Sequence, residues 1–396
     1  MSLNNTPASE RIHIGFFGKR NAGKSSVVNA ITGQKLSVVS DVLGTTTDPV
    51  YKTMELLPIG PVVIMDTPGI DDSGELGKMR VQKSYEALNR ADVAVLVTDA
   101  EKGLSKEDNE LISFFKEKKV KYLIAYNKCD LDYKEFELKD NEILVSAKEN
   151  INVYELKEKI AELCKIKEEP RRIVGDLIKK NDIVVLVTPI DASAPKGRLI
   201  LPQQQTIRDI LDSDAAAITV KETELEELLK SLCKKPKMVI TDSQVFGFVS
   251  KVVPEDIPLT SFSILFARYK GNLGSAYNGA KQLENLKDGD TLLISEGCTH
   301  HRQCEDIGTV KLPKWIKKYT GKEVNFEFTS GTEFPTDLEN YSLIVHCGGC
   351  MLNSREMQNR IKYAESKNIP ITNYGILIAY MNGIMERATK YIMQNA

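Results

Sequence analysis

Cysteine and histidine, the soft metal ligands, are concentrated in one short stretch of the sequence, residues 298–350. This stretch contains four of the seven cysteines and three of the four histidines. Its first group reads Cys298-Thr299-His300-His301-Arg302-Gln303-Cys304-Glu305, and its second reads His346-Cys347-Gly348-Gly349-Cys350. The clustering predicts a metal site.

The spacing of these residues leaves three kinds of site open. Structural zinc uses four ligands, usually in two close pairs such as C-x₂-C. Cys347 and Cys350 form one such pair, whereas the remaining candidates are irregularly spaced: Cys298, His300, His301, Cys304 and Glu305. Three thiolates with an open fourth position favour an iron–sulfur cluster with one exchangeable site. Zinc and a redox or incidental cysteine group are the alternatives.

Both groups of candidate ligands follow apolar stretches typical of buried strands, at 292–295 and 342–345. In an open α/β sheet, ligands bind beyond the carboxyl ends of the strands. Gly348 and Gly349 permit a tight turn, so that Cys347 and Cys350 can face one centre and backbone N–H groups can bond to sulfur. Helical patterns at 303–319, 354–366 and 374–393 would flank this sheet.

A second set of motifs predicts nucleotide chemistry in the N-terminal 168 residues. The run from Gly18 to Ser25 matches the P-loop pattern at every fixed position and follows an apolar strand at 11–17. The N–H groups of such a loop bind phosphates at a helix N-terminus. Lys24 would reach the β- and γ-phosphates, and the Ser25 hydroxyl would ligate Mg²⁺.

The remaining motifs select GTP. Asp66, in Asp66-Thr67-Pro68-Gly69, would hold the magnesium shell, and the Gly69 N–H would sense the γ-phosphate. Asp130, in Asn127-Lys128-Cys129-Asp130, can accept two hydrogen bonds from guanine, and adenine offers no such donor pair.

Thr46, in the polar segment 44–48, is the threonine expected to complete the Mg²⁺ shell. The predicted nucleotide-binding residues are Gly18, Asn21, Gly23, Lys24, Ser25, Ser26, Thr45, Thr46, Asp66, Gly69, Asn127, Lys128, Asp130, Ser146 and Ala147. Lys24, Thr46, Asp66 and Gly69 would serve hydrolysis.

Composition excludes several classes of protein. The net charge of −2 gives no basic footprint for nucleic acid, and no apolar run approaches the roughly 20 residues of a membrane span. The polar N-terminus lacks a signal-peptide core, so we expect a cytoplasmic protein. In that reducing compartment, clustered cysteines indicate metal or redox chemistry before disulfides.

The order of predicted elements indicates an α/β protein of three domains. Alternating strands and helices predict a doubly wound P-loop GTPase domain at 1–168. A small α/β connector or dimerisation domain would occupy 169–262, with strands at 182–188, 215–220, 238–240 and 245–248. A C-terminal α/β domain at 263–396 would carry the metal site.

The N-terminal motifs resemble the TrmE–Era branch of GTPases. Ile70 stands where Ras-like proteins carry the glutamine that orients the attacking water, so intrinsic hydrolysis should be slow. Asn21 is similar to the asparagine that binds K⁺ in the potassium-activated members; the alternative is that it only stabilises the loop. This resemblance also suggests a second function, a ribosome- or tRNA-related GTPase with a structural zinc module.

The whole chain resembles the HydF family of [FeFe]-hydrogenase maturation GTPases, through Cys298-Thr299-His300, a 45-residue gap and His346-Cys347-Gly348-Gly349-Cys350. This resemblance implies a 4Fe–4S cluster on Cys298, Cys347 and Cys350. It also implies a homodimer that receives a transient di-iron precursor made with two radical-SAM maturases and passes it to apo-[FeFe]-hydrogenase. The candidates for the fourth iron ligand are Glu305, His300 and His346. Glu305 is the one that suits an exchangeable position, because a hard oxygen binds iron weakly.

Overall fold

The computed structural model describes residues 6–33, 49–70, 75–131, 137–165, 171–190, 199–298 and 306–395, with the backbone alone for 75–80. The chain forms two compact units, Met1–Glu169 and Pro170–Ala396. The predicted domain boundaries at 168 and 262 stay predictions. No helix among these residues is both long enough and apolar enough to cross a bilayer.

The first unit is a six-stranded sheet flanked by helices. Its elements are β1 (Ile12–Phe17), α1 (Lys24–Thr32), β2 (Val50–Leu56), β3 (Gly60–Asp66), α2 (Glu75–Leu88), β4 (Val93–Asp99), α3 (Lys106–Glu117), β5 (Lys121–Asn127), β6 (Glu142–Leu144) and α4 (Val153–Cys164). The strand order is β2-β3-β1-β4-β5-β6, with only β2 antiparallel to its neighbour. Central strand β4 is buried along its whole length, as expected for a parallel strand covered on both faces.

The second unit contains two four-stranded parallel sheets. The first, ordered β10-β9-β7-β8, and its helices are built from β7 (Ile183–Val187), α5 (Leu201–Leu211), β8 (Ala216–Val220), α6 (Leu225–Ser231), β9 (Met238–Thr241), α7 (Phe246–Val252), β10 (Leu259–Ser261) and α8 (Phe262–Lys270).

The second sheet, ordered β12-β11-β13-β14, is formed by the rest of this unit. Its elements are α9 (Leu273–Ala280), β11 (Thr291–Glu296), α10 (Leu312–Thr320), β12 (Asn325–Ser330), β13 (Leu343–His346), α11 (Ser354–Ser366), β14 (Ile371–Asn373), α12 (Tyr374–Met381) and α13 (Met385–Gln394). Apolar residues of both sheets share one core with α8 and α12. The predicted α/β architecture is confirmed.

Two predicted elements were wrong. The expected strand at 245–248 is a 3₁₀ turn followed by α7, because the Asp242 side chain accepts the N–H of Gln244 and caps the turn. The single helix expected at 374–393 is two helices, because Gly383 adopts a left-handed conformation (φ +69°) that ends α12.

Candidate functional site

The P-loop connects β1 to α1 at the carboxyl edge of the first sheet. Gly18 has φ +137°, and a Cβ there would lie 2.1 Å from the Val97 carbonyl oxygen, so only glycine fits. The Lys24 Nζ donates to the carbonyl oxygens of Gly18 at 3.0 Å and Lys19 at 2.8 Å. The ammonium group is therefore held at the loop, where the predicted phosphates would bind.

The two predicted magnesium-shell residues from different motifs lie together. The Ser25 hydroxyl donates to Asp66 Oδ2 at 2.7 Å. The other carboxylate oxygen, Asp66 Oδ1, is buried and has no hydrogen-bond partner among the described residues. A buried, unsatisfied oxygen beside a serine hydroxyl fits the oxygen ligands that Mg²⁺ and its waters require. The predicted Thr45 and Thr46 lie outside the described residues.

The guanine-recognition residues are connected to the P-loop by one side chain. Asn127, at the end of β5, donates from Nδ2 to the Ala22 carbonyl at 3.0 Å and accepts at Oδ1 the Ala147 N–H at 3.1 Å. The Ser146 hydroxyl donates to Asp130 Oδ1 at 2.6 Å, and this bond lowers the pKa of Asp130. Asp130 is therefore an ionised acceptor, as guanine recognition requires.

One residue of this site, Asp99, is not predicted from the sequence motifs. It ends β4, and its Oδ2 lies 2.7 Å from Lys128 Nζ, which fixes the lysine of the guanine motif. The apolar run of β4 followed by Thr98-Asp99 was the available signal, since a carboxylate at the end of a buried parallel strand lies at the ligand edge. Asn21 adopts a left-handed conformation with φ +59°. Gly69 lies close to the P-loop, since a Cβ on it would be 2.8 Å from the Arg20 nitrogen.

In the second unit, the two cysteine-bearing segments meet. Because β11 pairs with β13, their carboxyl ends are adjacent; Cys298 lies two residues past β11 and Cys347 directly follows β13. The Gly297 N–H donates to Cys347 Sγ at 3.0 Å, and the Gly349 N–H lies 3.4 Å from the same sulfur. A Cβ on Gly297 would collide with Leu352 Cγ at 2.8 Å, so this close approach depends on glycine.

Burial makes the thiol form the stable state of both cysteines in the turn. It raises the pKa of Cys347 and raises that of Cys350 to about 11. The two N–H groups at Cys347 oppose this effect because they favour the thiolate. A cation that bound both sulfurs would compensate the buried negative charge. The donor set and its sulfur-directed N–H groups thus fit a thiolate-bound metal or cluster.

The rest of the predicted ligand set is only partly described. Cys304, His300, His301 and Glu305 lie outside the described residues. Among the residues that are described, no group of three or more His, Cys, Asp or Glu side chains is placed to hold a single metal ion. The thiolates of a 4Fe–4S cluster bind different iron atoms, so they need not converge on one point.

His346, a candidate fourth ligand, is buried with both ring nitrogens in hydrogen bonds. Its Nδ1 lies 2.9 Å from the Cys347 carbonyl oxygen and its Nε2 lies 3.1 Å from Arg360 Nη1. Because a guanidinium only donates, Nε2 is the acceptor and Nδ1 carries the proton. Burial and the Arg360 charge lower the pKa of His346 to about 3. In this arrangement its place is beside the ligands, orienting the Cys347 backbone.

Arg360 of α11 connects the ends of three strands. Besides His346 after β13, its guanidinium donates to Ser295 Oγ of β11 at 3.3 Å and to the Gly331 carbonyl past β12 at 3.1 Å. Its Nε donates to Glu356 Oε1 at 3.0 Å, a pair in which both side chains are buried. The Gly331 N–H in turn donates to the Cys298 carbonyl at 3.3 Å. Both cysteine segments therefore depend on one side chain that no sequence motif indicated.

A buried carboxylate also faces this site. Glu296 accepts a hydrogen bond from the Tyr374 hydroxyl at 3.2 Å. Burial raises the pKa of Tyr374 and of Cys347, and the Glu296 charge adds to that rise in both. The sequence offered one signal, a glutamate at the end of a buried strand, two residues before Cys298.

Comparison with known families matches most of the chain in three parts. Residues 13–128 match the family described as 50S ribosome-binding GTPase. Residues 173–271 match the hydrogen maturase F dimerization domain, and residues 274–391 match the hydrogen maturase F tetramerization domain. The last two parts together cover more than half of the sequence.

Curated relatives match only part of the chain. The chain is 37% identical to the tRNA modification GTPase MnmE of Desulforamulus reducens over 142 residues, which is 36% of this chain and 30% of the relative. It is 28% identical to MnmE of Acetivibrio thermocellus over 240 residues (57% and 52%), and 36% identical to GTPase Der of Clostridium perfringens over 126 residues (31% and 28%). The chain thus spans about a third to a half of the length of these relatives.

Solved structures give a weaker similarity. Aquifex aeolicus Era bound to GDP and aluminium fluoride has 19% sequence identity and a TM-score of 0.34, with 55% of this chain and 97% of that one covered.

The matches to the GTPase domain and to the two adjoining maturase domains assign the protein to a family. The chain belongs to the hydrogen maturase F (HydF) family and carries its GTPase domain at the N-terminus.

Proposed function

We propose that this chain is a GTPase scaffold that binds a 4Fe–4S cluster, assembles the di-iron subcluster of [FeFe]-hydrogenase and delivers it to the apo-enzyme. The observation that carries the proposal is the 3.0 Å contact from the Gly297 N–H to Cys347 Sγ, which brings the Cys298 segment onto the Cys347–Cys350 turn. Membership of the HydF family supports the maturation role.

In this proposal Cys298, Cys347 and Cys350 hold three of the four irons. A cluster bound in this way offers one iron that can bind and release an external ligand. Gly297 and Gly349 stabilise the Cys347 thiolate through their N–H groups, and the hydrogen bonds of Arg360 fix the positions of both ligand segments. Glu305 and His300 are then the candidates for the fourth position, since both nitrogens of His346 are engaged. Glu305 is favoured, because a carboxylate binds iron weakly enough to exchange.

In this proposal the nucleotide site regulates the scaffold through binding and hydrolysis of GTP. Lys24 neutralises the β- and γ-phosphates, Ser25, Asp66 and Thr46 surround Mg²⁺, and the Gly69 N–H contacts the γ-phosphate. The partners would be two radical-SAM maturases and apo-[FeFe]-hydrogenase. Matches to a dimerization and a tetramerization domain support self-association of the chain, with the predicted homodimer as its basic unit.

We expect Cys347→Ser to abolish assembly of the 4Fe–4S cluster. The hydroxyl is a poor iron ligand, and the buried turn cannot supply another thiolate. Wild type, Cys298→Ser, Cys347→Ser and Cys350→Ser should be purified without oxygen, reconstituted with iron and sulfide, and compared by absorption, iron content and EPR.

Cys233→Ser is the matched control, because Cys233 is exposed and belongs to the same unit. It should retain the cluster signal of wild type. A colourless wild-type protein with one equivalent of zinc would reject the cluster and favour the alternative, a ribosome- or tRNA-related GTPase with a structural zinc module.

We also expect GTP hydrolysis to be faster in KCl than in NaCl, by at least several-fold. A K⁺ ion on Asn21 would add positive charge beside the phosphates, where other GTPases use an arginine. Asn21→Ala should remove the potassium effect and leave the rate in NaCl unchanged. Equal rates in the two salts for wild type would show that Asn21 only shapes the loop.

A further inference from the structure

Lys270 is a fully buried lysine whose ammonium group lies at the cysteine turn. Its side chain is only 1% exposed. The Nζ donates to the Cys350 carbonyl at 3.1 Å and to the Leu352 carbonyl at 2.8 Å. It therefore fixes the backbone that follows Cys350. Burying a lysine is costly, and a methionine of similar shape could fill the same space at lower cost.

Lys270 belongs to a different part of the unit from the cysteines. It is the last residue of α8, which lies within the matched dimerization domain at 173–271, whereas Cys347 and Cys350 lie within the matched tetramerization domain at 274–391. The same helix also approaches Gly348 of the turn, since a Cβ on Gly348 would lie 3.7 Å from Ser263 Oγ. Helix α8 therefore lies against the cysteine turn at both Ser263 and Lys270.

We infer that Lys270 is a positioning residue that fixes Cys350 and, through its charge, favours the reduced state of the cluster bound there. The inference rests on the proposed cluster-binding function. Reduction adds negative charge to a cluster, and a cation buried beside it stabilises the added electron because little water screens the interaction.

Three substitutions separate the charge of Lys270 from its hydrogen bonds. Lys270→Arg keeps both, Lys270→Gln keeps a donor without the charge, and Lys270→Met removes both. We expect the midpoint potential of the reconstituted cluster to fall in the Gln and Met variants and to stay near the wild-type value in the Arg variant. Release of iron to a chelator should accelerate several-fold in the Met variant and less in the Gln variant.

Lys314→Met, at an exposed position of the same unit, is the matched control and should change neither property. GTPase rates report on the fold of the first unit in every variant. If the Met variant does not accumulate as folded protein, the comparison of Gln with Arg decides the question. Wild-type potentials in both Gln and Met would overturn the inference, because a purely structural clamp does not set a potential. A wild-type chain that takes up no cluster would instead reject the proposed function.

Discussion

Replacing Asp130 with asparagine is expected to lower kcat/KM for GTP by about 100-fold or more and to improve activity with xanthosine triphosphate. The Asp130 carboxylate is ionised, and one of its oxygens accepts from Ser146. Its remaining acceptor sites can therefore accept from the guanine N–H groups. An asparagine replaces an acceptor with a donor, so the hydrogen bonds that select guanine are lost. Xanthine carries an oxygen in place of the exocyclic amine and would accept from that donor.

The measurement is kcat/KM for both nucleotides in wild type and variant. Asp140→Asn is the matched control, because Asp140 is an exposed carboxylate of the same unit. It should leave the preference for GTP unchanged. If Asp130→Asn retained wild-type activity with GTP, Asp130 would not be the residue that reads guanine.

The nucleotide site could be predicted from sequence because each of its parts is a short, contiguous motif. Gly18 to Ser25 specifies a loop whose geometry follows from the positions of its glycines, and each of Asp66 and Asn127 ends a strand of apolar residues. Parallel strands bring such ends to one edge of the sheet, so the motifs meet without further information. Asp99 escaped notice because a single carboxylate after a strand has no distinctive spacing.

The cysteine site could be predicted only in part, because its supports come from distant parts of the chain. The positions of Cys298 and Cys347 beyond strand ends indicated one crevice, and β11 does pair with β13. In contrast, Lys270 is 80 residues from Cys350, and Arg360 is 65 residues from Ser295. No periodicity links such pairs; they follow from how α8 and α11 pack on the sheet. A buried lysine or arginine within an amphipathic helix otherwise looks like part of a solvated face.

The same limitation explains why β12 and β14 were not predicted from the sequence. β12 is a partly exposed edge strand with polar residues at alternate positions, and β14 is only three residues long, so neither carries the apolar run of β11 or β13. The sheet could therefore be recognised from its two central strands, but not its width or its order. The network around Arg360 requires β12, because Gly331 follows that strand.

Arg360→Met is expected to destabilise the second unit by about 3–5 kcal/mol while leaving GTP hydrolysis unchanged. The substitution leaves the buried Glu356 carboxylate without its guanidinium and removes the bonds to Ser295, His346 and Gly331. Breaking a buried ion pair from one side costs about this much because the remaining charge stays desolvated. Trp315, the single tryptophan, packs against the core of this unit, so its fluorescence during urea denaturation follows the unit selectively.

The double variant Arg360→Met/Glu356→Leu distinguishes the ion pair from the cysteine segments. Removing both charges eliminates the uncompensated carboxylate, so much of the stability should return. Cluster retention should not return with it, because Ser295, His346 and Gly331 still lack their common donor, and Cys298 is held through Gly331. Recovery of both stability and cluster in the double variant would show that Arg360 serves only to neutralise Glu356. Recovery of stability alone would establish that the arginine positions the two cysteine segments.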